Sequence, residues 1–236
     1  MLEQIHAVIV HYDESNMGEL DSDELSSNFG LRMRRSESWS DHANDSMSEA
    51  DYDSAFLFYW IAFNALYSDE SSIDVPRNGS ESHKSERDLQ RKFIEKVHRC
   101  DKQNGYLHKF LWDEYSNSIR NLLDNEFIFG IYWRDIRENP EESRWAEKMR
   151  SASRSALQSL KDEGSVAKLL SIVFERLNVL RNQLAHGSST YRGSLNRDQV
   201  KTGATFMHKV VPIIQQIFRG NPDVDWGVPP YPPLNR

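Results

Sequence analysis

Apolar residues recur at three- and four-residue steps along residues 165–187, which is typical of a buried helical stripe. The stripe consists of Val166, Leu169, Leu170, Val173, Phe174, Leu177 and Leu180. Ser165 is a suitable N-cap, and Gly187 suits the C′ position just after a last helical turn. The pattern therefore predicts one helix between these two residues.

Residues 51–67, DYDSAFLFYWIAFNALY, are apolar nearly all round. This pattern predicts a central helix that other helices surround. Weaker helical patterns predict further helices over 20–43, 86–100, 106–121, 125–137, 140–162 and 197–218. Pro140 suits the first position of its helix, and we expect Pro212 to bend the last one. Residues 68–85 and 188–196 are polar and predict loops.

The remaining segments are harder to assign. Residues 2–12 suit a helix or a strand equally well, and we assign 1–18 to an N-terminal extension. Residues 220–236 hold five prolines and predict a tail extended over the surface; its PPYPP run suits either a packed tail or a proline-recognition ligand. Because no repeat, strand alternation or Pro/Gly linker is present, we predict one all-α domain over 1–236, a helical bundle with peripheral helices.

Composition limits the class of protein. Hydrophobic residues make up 38% of the 236 residues and charged residues 28%, as in a soluble globular protein. No apolar run approaches the roughly 18 residues of a bilayer span, and no signal-peptide pattern is present, so we expect a cytoplasmic protein without a membrane partner. The single cysteine, Cys100, fits a reducing compartment. The net charge of −7 argues against a general nucleic-acid coat protein, although it permits one local basic pocket.

Three polar residues, Arg181, Asn182 and His186, end the apolar helix of residues 165–187. Asn182 lies one turn before His186, so its amide is expected to orient the imidazole. Arg181 lies about 140° around the helix from His186, a gap that a long guanidinium can cover. An imidazole that moves a proton and a cation that stabilises charge on phosphorus suit phosphodiester cleavage of RNA. The alternative is a chance pattern in which the histidine only caps the helix.

Two further sets of polar residues are candidates for substrate binding. Asn64 lies in the apolar helix of residues 51–67, where its amide either bonds the backbone of a neighbouring helix or orients the Arg181/His186 group. Arg32, Arg34 and Arg35 form a small basic cluster that is either a solvated helix face or a phosphate-facing patch.

No metal or cofactor site is predicted. The chain lacks a glycine-rich phosphate loop, a GxSxG elbow and an HExxH helix. His98 and Cys100 lack the second ligand pair of a zinc site. Residues 13–24 carry a partial calcium-loop pattern, but Met17 occupies a position that should supply an oxygen ligand. An acidic connector is therefore the favoured interpretation of that segment.

The sequence RNQLAHG at 181–187 resembles the signature of the HEPN superfamily, an arginine and a polar residue followed by a histidine at the end of an apolar helix. FYWIAFNALY, LRMRRSESW and NPDVDWGVPPYPP resemble stand-alone bacterial members of that superfamily. This resemblance implies a HEPN-like bundle, with Arg181, Asn182 and His186 at the family's active-site positions.

The resemblance also implies a function. Many HEPN proteins are metal-independent endoribonucleases that act as homodimers with a composite site, and they serve as toxins, antiviral effectors or RNA-processing enzymes. On this basis His186 is the acid/base, Arg181 binds the scissile phosphate and Asn182 positions His186. One histidine does not readily serve as both base and acid, whereas a two-fold dimer supplies both. The alternative is a non-catalytic HEPN module that dimerises and binds a nucleotide, RNA or partner protein; any antitoxin or regulatory partner stays open.

Overall fold

The computed structural model describes residues 27–69, 86–138, 140–141, 143–161, 166–194 and 196–231, without the side chains of residues 116 and 117. Four sequence-based expectations lie outside this description. They are the short element at 2–12, the calcium-loop pattern at 13–24, most of the loop at 68–85, and the N-cap at Ser165.

The described residues form helices and no strands, which confirms the all-α fold class. The α-helices are α1 (Asn28–Ser48), α2 (Tyr52–Tyr67), α3 (Glu86–Cys100), α4 (Tyr106–Glu114), α5 (Arg120–Leu123), α6 (Gly130–Glu138), α7 (Trp145–Lys161), α8 (Val166–Ala185) and α9 (Arg197–Arg219). A π-helical turn, Tyr115–Ile119, joins α4 to α5, and a 3₁₀ turn, Glu126–Ile128, precedes α6.

Three predicted helix starts are wrong. Ser27 caps α1, so this helix begins at Asn28 and not at residue 20. The helix predicted from residue 125 begins at Gly130 after a 3₁₀ turn.

The helix expected to open at Pro140 begins at Trp145 instead. The backbone N–H of Arg144 donates to the Asp135 carboxylate of α6 at 3.3 Å, and Lys148 pairs with the same carboxylate at 3.2 Å. These contacts bind the first turn of α7 to α6, so the start of the helix is set by a tertiary contact and not by the proline.

Helices α1 and α2 form an antiparallel hairpin. Ser27 caps α1 by accepting a hydrogen bond from the N–H of Gly30 at 3.0 Å. Asp51 caps α2, accepting from the N–H of Ser54 at 3.3 Å and from its hydroxyl at 2.8 Å. The nearly all-apolar α2 is central as predicted, and its Phe56 and Phe63 are fully buried.

Helices α8 and α9 complete the core around α2. The ring of Phe174 in α8 stacks on that of Phe63 in α2, with centroids 4.4 Å apart. A Cβ atom at Gly203 of α9 would lie 2.8 Å from Leu180 and 3.3 Å from Phe56. Glycine at this position therefore permits α9 to approach both neighbouring helices closely.

The tail at residues 221–231 packs on the bundle. Trp226 is buried, and its ring stacks on Phe218 of α9 with centroids 4.3 Å apart. Arg35 of α1 donates to the carbonyl oxygens of Pro230 at 2.9 Å and Tyr231 at 2.6 Å. The tail thus covers the end of the bundle where α1 begins.

Candidate functional site

The last turn of α8 ends in a tightly bonded cap. The N–H of Ser188 donates to the carbonyl of Gln183 at 2.8 Å, and that of Gly187 donates to Leu184 at 3.2 Å. Gly187 has a φ of 67° and occupies C′, as the sequence predicts. This pair of bonds is the Schellman motif, and it fixes the backbone that carries His186.

Arg181 lies on the face of α8 that is directed toward α2 and α3. Its Nη2 donates to both carboxylate oxygens of Glu86, at 2.6 and 2.7 Å, and its guanidinium carbon lies 5.5 Å from the ring centroid of Trp60. The Tyr67 hydroxyl donates to Glu86 at 3.4 Å. Burial, and then the charge of Glu86, raise the pKa of Tyr67 well above its usual range, so this hydroxyl stays protonated. Arg181 is therefore held in one position with an oxyanion already bound.

Several buried polar atoms around Arg181 have no hydrogen-bond partner within the described structure. They are Trp60 Nε1, Asn64 Oδ1, Gln90 Nε2 and Arg181 Nε. Gln90 does accept a hydrogen bond from Asn178 at 2.8 Å through its other amide atom. The Asn64 Oδ1 thus forms neither of the two expected contacts, with a helix backbone or with the Arg181/His186 group, within the described residues.

His186 and Asn182 are both exposed at the end of α8. The backbone N–H of His186 donates to the carbonyl of Asn182 at 3.0 Å. Within the described residues, neither side chain forms a hydrogen bond, so the expected contact between the Asn182 amide and the imidazole is not formed in a single copy. The imidazole is consequently accessible to a ligand or to a second chain.

The face of α8 that carries His186 is directed toward α6. Val179, Gln183 and His186 are spaced four and three residues apart, so they lie on one side of the helix. The Gln183 amide donates to the carbonyl of Phe127 at 2.7 Å, just before α6. Val179 contacts the start of α6 at Gly130, where an added Cβ would lie 3.6 Å from it. His186 and Arg181 therefore have different surroundings on the same turn.

Two carboxylates from the start of α2 hold the loop that follows His186. The hydroxyl of Tyr191 donates to Asp51 at 2.7 Å, and Arg197 donates to both oxygens of Asp53 at 2.6 and 2.8 Å. Burial raises the pKa of Asp51, but the hydrogen bonds from Tyr191 and Ser54 outweigh it, so the pKa lies below its usual value. Asp51 thus stays ionised and keeps the loop close to α2.

The basic cluster of α1 does not form one surface. Arg32 is fully buried, and its guanidinium donates to the carbonyls of Ala65 at 3.2 Å and Gly227 at 3.4 Å. Burial lowers its pKa to about 10. Arg35 holds the tail, and Arg34 is exposed. Arg32 therefore does not belong to a phosphate-facing patch, because its guanidinium joins α1 to α2 and the tail.

No group of three or more His, Cys, Asp or Glu side chains that could hold a metal ion lies in the described part of the chain. None of the described helices has both the length and the hydropathy of a bilayer span.

Sequence reasoning did not identify Glu86, Trp60 or Gln183 as parts of the site. Each makes its contact over a long separation in the chain: Glu86 is 95 residues from Arg181, and Gln183 is 56 residues from Phe127. The one available signal was the position of Glu86 in the first turn of a predicted helix, where a carboxylate is favourable without any partner.

No protein-family model matches the chain, and no curated protein or solved structure matches it significantly. The resemblance to the HEPN superfamily therefore stays a prediction from the sequence, and so do the roles that it implies for Arg181, Asn182 and His186.

Proposed function

We propose that this protein is a metal-independent endoribonuclease that acts as a homodimer with a composite Arg/His site. The observation that carries the proposal is the exposed imidazole of His186 on a capped turn, five residues after an arginine that already holds an oxyanion. A rigid, accessible imidazole is suited to move the proton of a ribose 2′-hydroxyl or of the leaving oxygen. A toxin or an antiviral effector is the biological role that such an activity would suit.

The surroundings of Arg181 support its role as the phosphate ligand. A carboxylate and a phosphate offer similar pairs of oxygen atoms to a guanidinium, so the bond to Glu86 shows that an oxyanion fits here. Only Nη2 is used by Glu86, and Nη1 forms no hydrogen bond to the described residues. A scissile phosphate can therefore bind Nη1 without displacing Glu86.

A composite dimer would supply a catalytic group that the single chain lacks. In-line cleavage needs a base for the 2′-hydroxyl and an acid for the leaving oxygen, whereas one turn of α8 carries one histidine. A two-fold axis beside His186 would bring a second His186 and a second Arg181 to the same phosphate. The lack of a side-chain partner for His186 is compatible with such a contact.

The proposal is tested by incubating purified protein with end-labelled RNAs in EDTA and mapping the products. We expect the wild type to leave 2′,3′-cyclic phosphate ends and to spare a substrate with 2′-deoxyribose at the cleavage position. His186→Ala should lose about 10²–10⁴-fold in rate. His42→Ala, which removes another exposed histidine, is the matched control and should retain activity. Cleavage by His186→Ala at the wild-type rate would exclude His186 from the reaction.

A second candidate is a non-catalytic module that binds a nucleotide, RNA or partner protein through the same turn. The pairing of Arg181 with Glu86 favours it, because the carboxylate offsets the charge that would stabilise a transition state. In this case the wild type cuts none of the RNAs. Isothermal titration with a nucleoside monophosphate would then show binding that Arg181→Ala weakens and that Glu86→Gln strengthens.

A further inference from the structure

An exposed aromatic surface lies on α6 and the turn before it, where Gln183 of α8 makes its hydrogen bond. Phe127 and Trp133 expose 37% and 40% of their surface, and their ring centroids are 6.4 Å apart. We call this pair the aromatic ledge. The Trp133 indole N–H donates to the carbonyl of Phe127 at 2.7 Å, and the ring of Tyr132 packs edge-on against both members of the pair. The two rings are thus held in position without being buried.

The ledge is rigid because a second layer supports it. The ring of Tyr132 meets that of Trp145, at the start of α7, edge to face with centroids 5.0 Å apart. The contacts of Asp135 with Arg144 and Lys148 fasten α6 to α7 on the same side. A stacking surface that is fixed before binding loses little conformational entropy when a ligand arrives.

The ledge is joined directly to the turn that carries His186. The Gln183 amide donates to the carbonyl of Phe127, which is also the acceptor of the Trp133 indole. Gln183 and His186 are three residues apart on one helix, so they lie on the same face of α8. A strand that places a phosphate at His186 therefore has the ledge beside it.

The stretch from α6 through α7 carries a small excess of cations although the whole chain is acidic. Residues 130–161 contain seven Lys and Arg against five Asp and Glu, whereas the chain has a net charge of −7. Arg137 is exposed one turn after Trp133 and donates to its carbonyl at 3.2 Å. Arg150 and Arg154 are exposed on α7. Aromatic faces interleaved with cations are the combination that binds single-stranded nucleic acids.

We propose that the aromatic ledge is a nucleobase subsite, in which an unpaired base of single-stranded RNA stacks on Trp133 and Phe127 while Arg137 contacts the backbone. This inference rests on the proposed function, because it places the strand by the position of His186. It identifies the substrate class as RNA that is single-stranded next to the scissile phosphate. In a duplex the bases are stacked on one another and are not available to the ledge.

A nucleobase suits this surface better than the apolar face of a protein does. The core of a protein interface is depleted of charged residues, whereas here Arg134 follows Trp133 in the chain and Arg137 donates to the Trp133 carbonyl. Every nucleobase has a π-face, and the phosphates that accompany it complement the cations.

The test measures binding in the His186→Ala background, where the RNA should stay intact. The probe is a fluorescein-labelled U12 oligonucleotide, followed by anisotropy at several salt concentrations. Trp133→Leu keeps an apolar side chain and removes the stacking face, so Kd should rise on the order of 10-fold. Trp133→Phe restores a ring and should stay within about threefold of the parent. Trp112→Leu, at an exposed tryptophan of α4 that makes no ring contact with the ledge, should bind as the parent does.

Three results would overturn the subsite: an unchanged Kd for Trp133→Leu, an equal loss for Trp133→Leu and Trp133→Phe, or duplex binding as tight as that of U12. Phe127→Leu, which retains the backbone carbonyl that Gln183 and Trp133 need, provides a second variant if Trp133→Leu fails to fold. The subsite proposal and the nuclease proposal can be disproved independently. If binding depends on Trp133 but no RNA is cleaved, only the nuclease proposal is disproved. If RNA is cleaved but Trp133→Leu binds U12 as tightly as the parent does, only the subsite proposal is disproved.

Discussion

Two arginines of α8, Arg176 and Arg181, lie five residues apart and are held in opposite ways. Arg176 is buried, with its guanidinium carbon 3.9 Å from the ring centroid of Phe129 and Nη2 3.5 Å from the carbonyl of Leu123. Arg181 is partly exposed and donates to the carboxylate of Glu86. Burial lowers the pKa of Arg176 to about 10, since little around it compensates for lost hydration.

The difference indicates that Arg176 supports the fold, whereas Arg181 is available to bind a ligand. Arg176 packs its stem and its guanidinium inside the protein, where no substrate can reach it. Arg181 lies further on, at the point where α8 leaves the core, and it binds an oxyanion at the surface. The same residue type thus has different roles at two positions of one helix, because burial changes over about one and a half turns.

The largest expected effect concerns Arg181 and activity. Arg181→Ala removes the proposed phosphate ligand, so cleavage should fall by about 10²–10³-fold, as for the loss of one transition-state donor. Its unfolding free energy should change by no more than about 1 kcal/mol, because a partly exposed ion pair contributes little. Single-turnover cleavage and urea denaturation of the same preparation measure the two quantities. A large loss of stability with unchanged cleavage would reverse the roles assigned to the two arginines.

Arg176 should show the reverse behaviour. Arg176→Ala removes a buried stem and a ring contact, and should lower the unfolding free energy by about 2–4 kcal/mol, as other large-to-Ala changes in cores do. Arg176→Met keeps most of the stem and should cost less. Urea denaturation at pH 7 compares the two variants. Equal losses would mean that the charge, and not the packing of the stem, stabilises this position.

A smaller effect is expected for Gly187, which caps the C-terminal end of α8 directly after His186. Gly187 has a φ of 67°, and a Cβ there would meet open space, so Gly187→Ala adds only backbone strain. We expect a loss of about 1 kcal/mol. Gly220→Ala is the matched control, because Gly220 ends α9 with a φ of −72°. Thermal unfolding should separate the two variants, and equal midpoints would show that the left-handed turn is not strained.

The smallest effect extends the comparison to histidines. His208 of α9 is partly buried, with Nδ1 2.5 Å from the Tyr59 hydroxyl. Burial, and then the charge of Lys209, lower its pKa below the usual value. The unfolded chain therefore binds a proton more readily as the pH falls through about 6.5, so stability decreases on acidification. The unfolding free energy should fall more between pH 7.5 and pH 5.5 for the wild type than for His208→Gln. An equal fall in both proteins would show that His208 is not the source of this pH dependence.

The sequence predicted the parts of the fold that depend on local pattern. The periodicity of α2, α3 and α8 placed their ends within one or two residues, since apolar spacing and caps are properties of neighbouring residues. The start of α7 was missed because it depends on the contact between Arg144 and Asp135 of another helix. Periodicity also did not show which of Arg32, Arg34 and Arg35 faces inward, because the apolar stripe of α1 is weak.

The candidate site was predicted only as a set of residues. Spacing placed Arg181 and His186 about 140° apart and suggested that the guanidinium covers this gap, whereas in the single chain the guanidinium pairs with Glu86. Spacing did not reveal the carboxylate of Glu86 or the aromatic ledge, because both are brought to α8 by tertiary packing over more than fifty residues. Sequence spacing therefore did not predict the neighbouring residues that determine what each side chain can do.

The proposed composite site requires two chains, each of which supplies one half. It is tested most directly by the cleavage rate per chain as a function of protein concentration, with the molar mass measured by light scattering on the same samples. We expect the rate per chain to rise with concentration and to level off where the mass reaches twice 27.5 kDa. A constant rate per chain from a particle of monomer mass would contradict it.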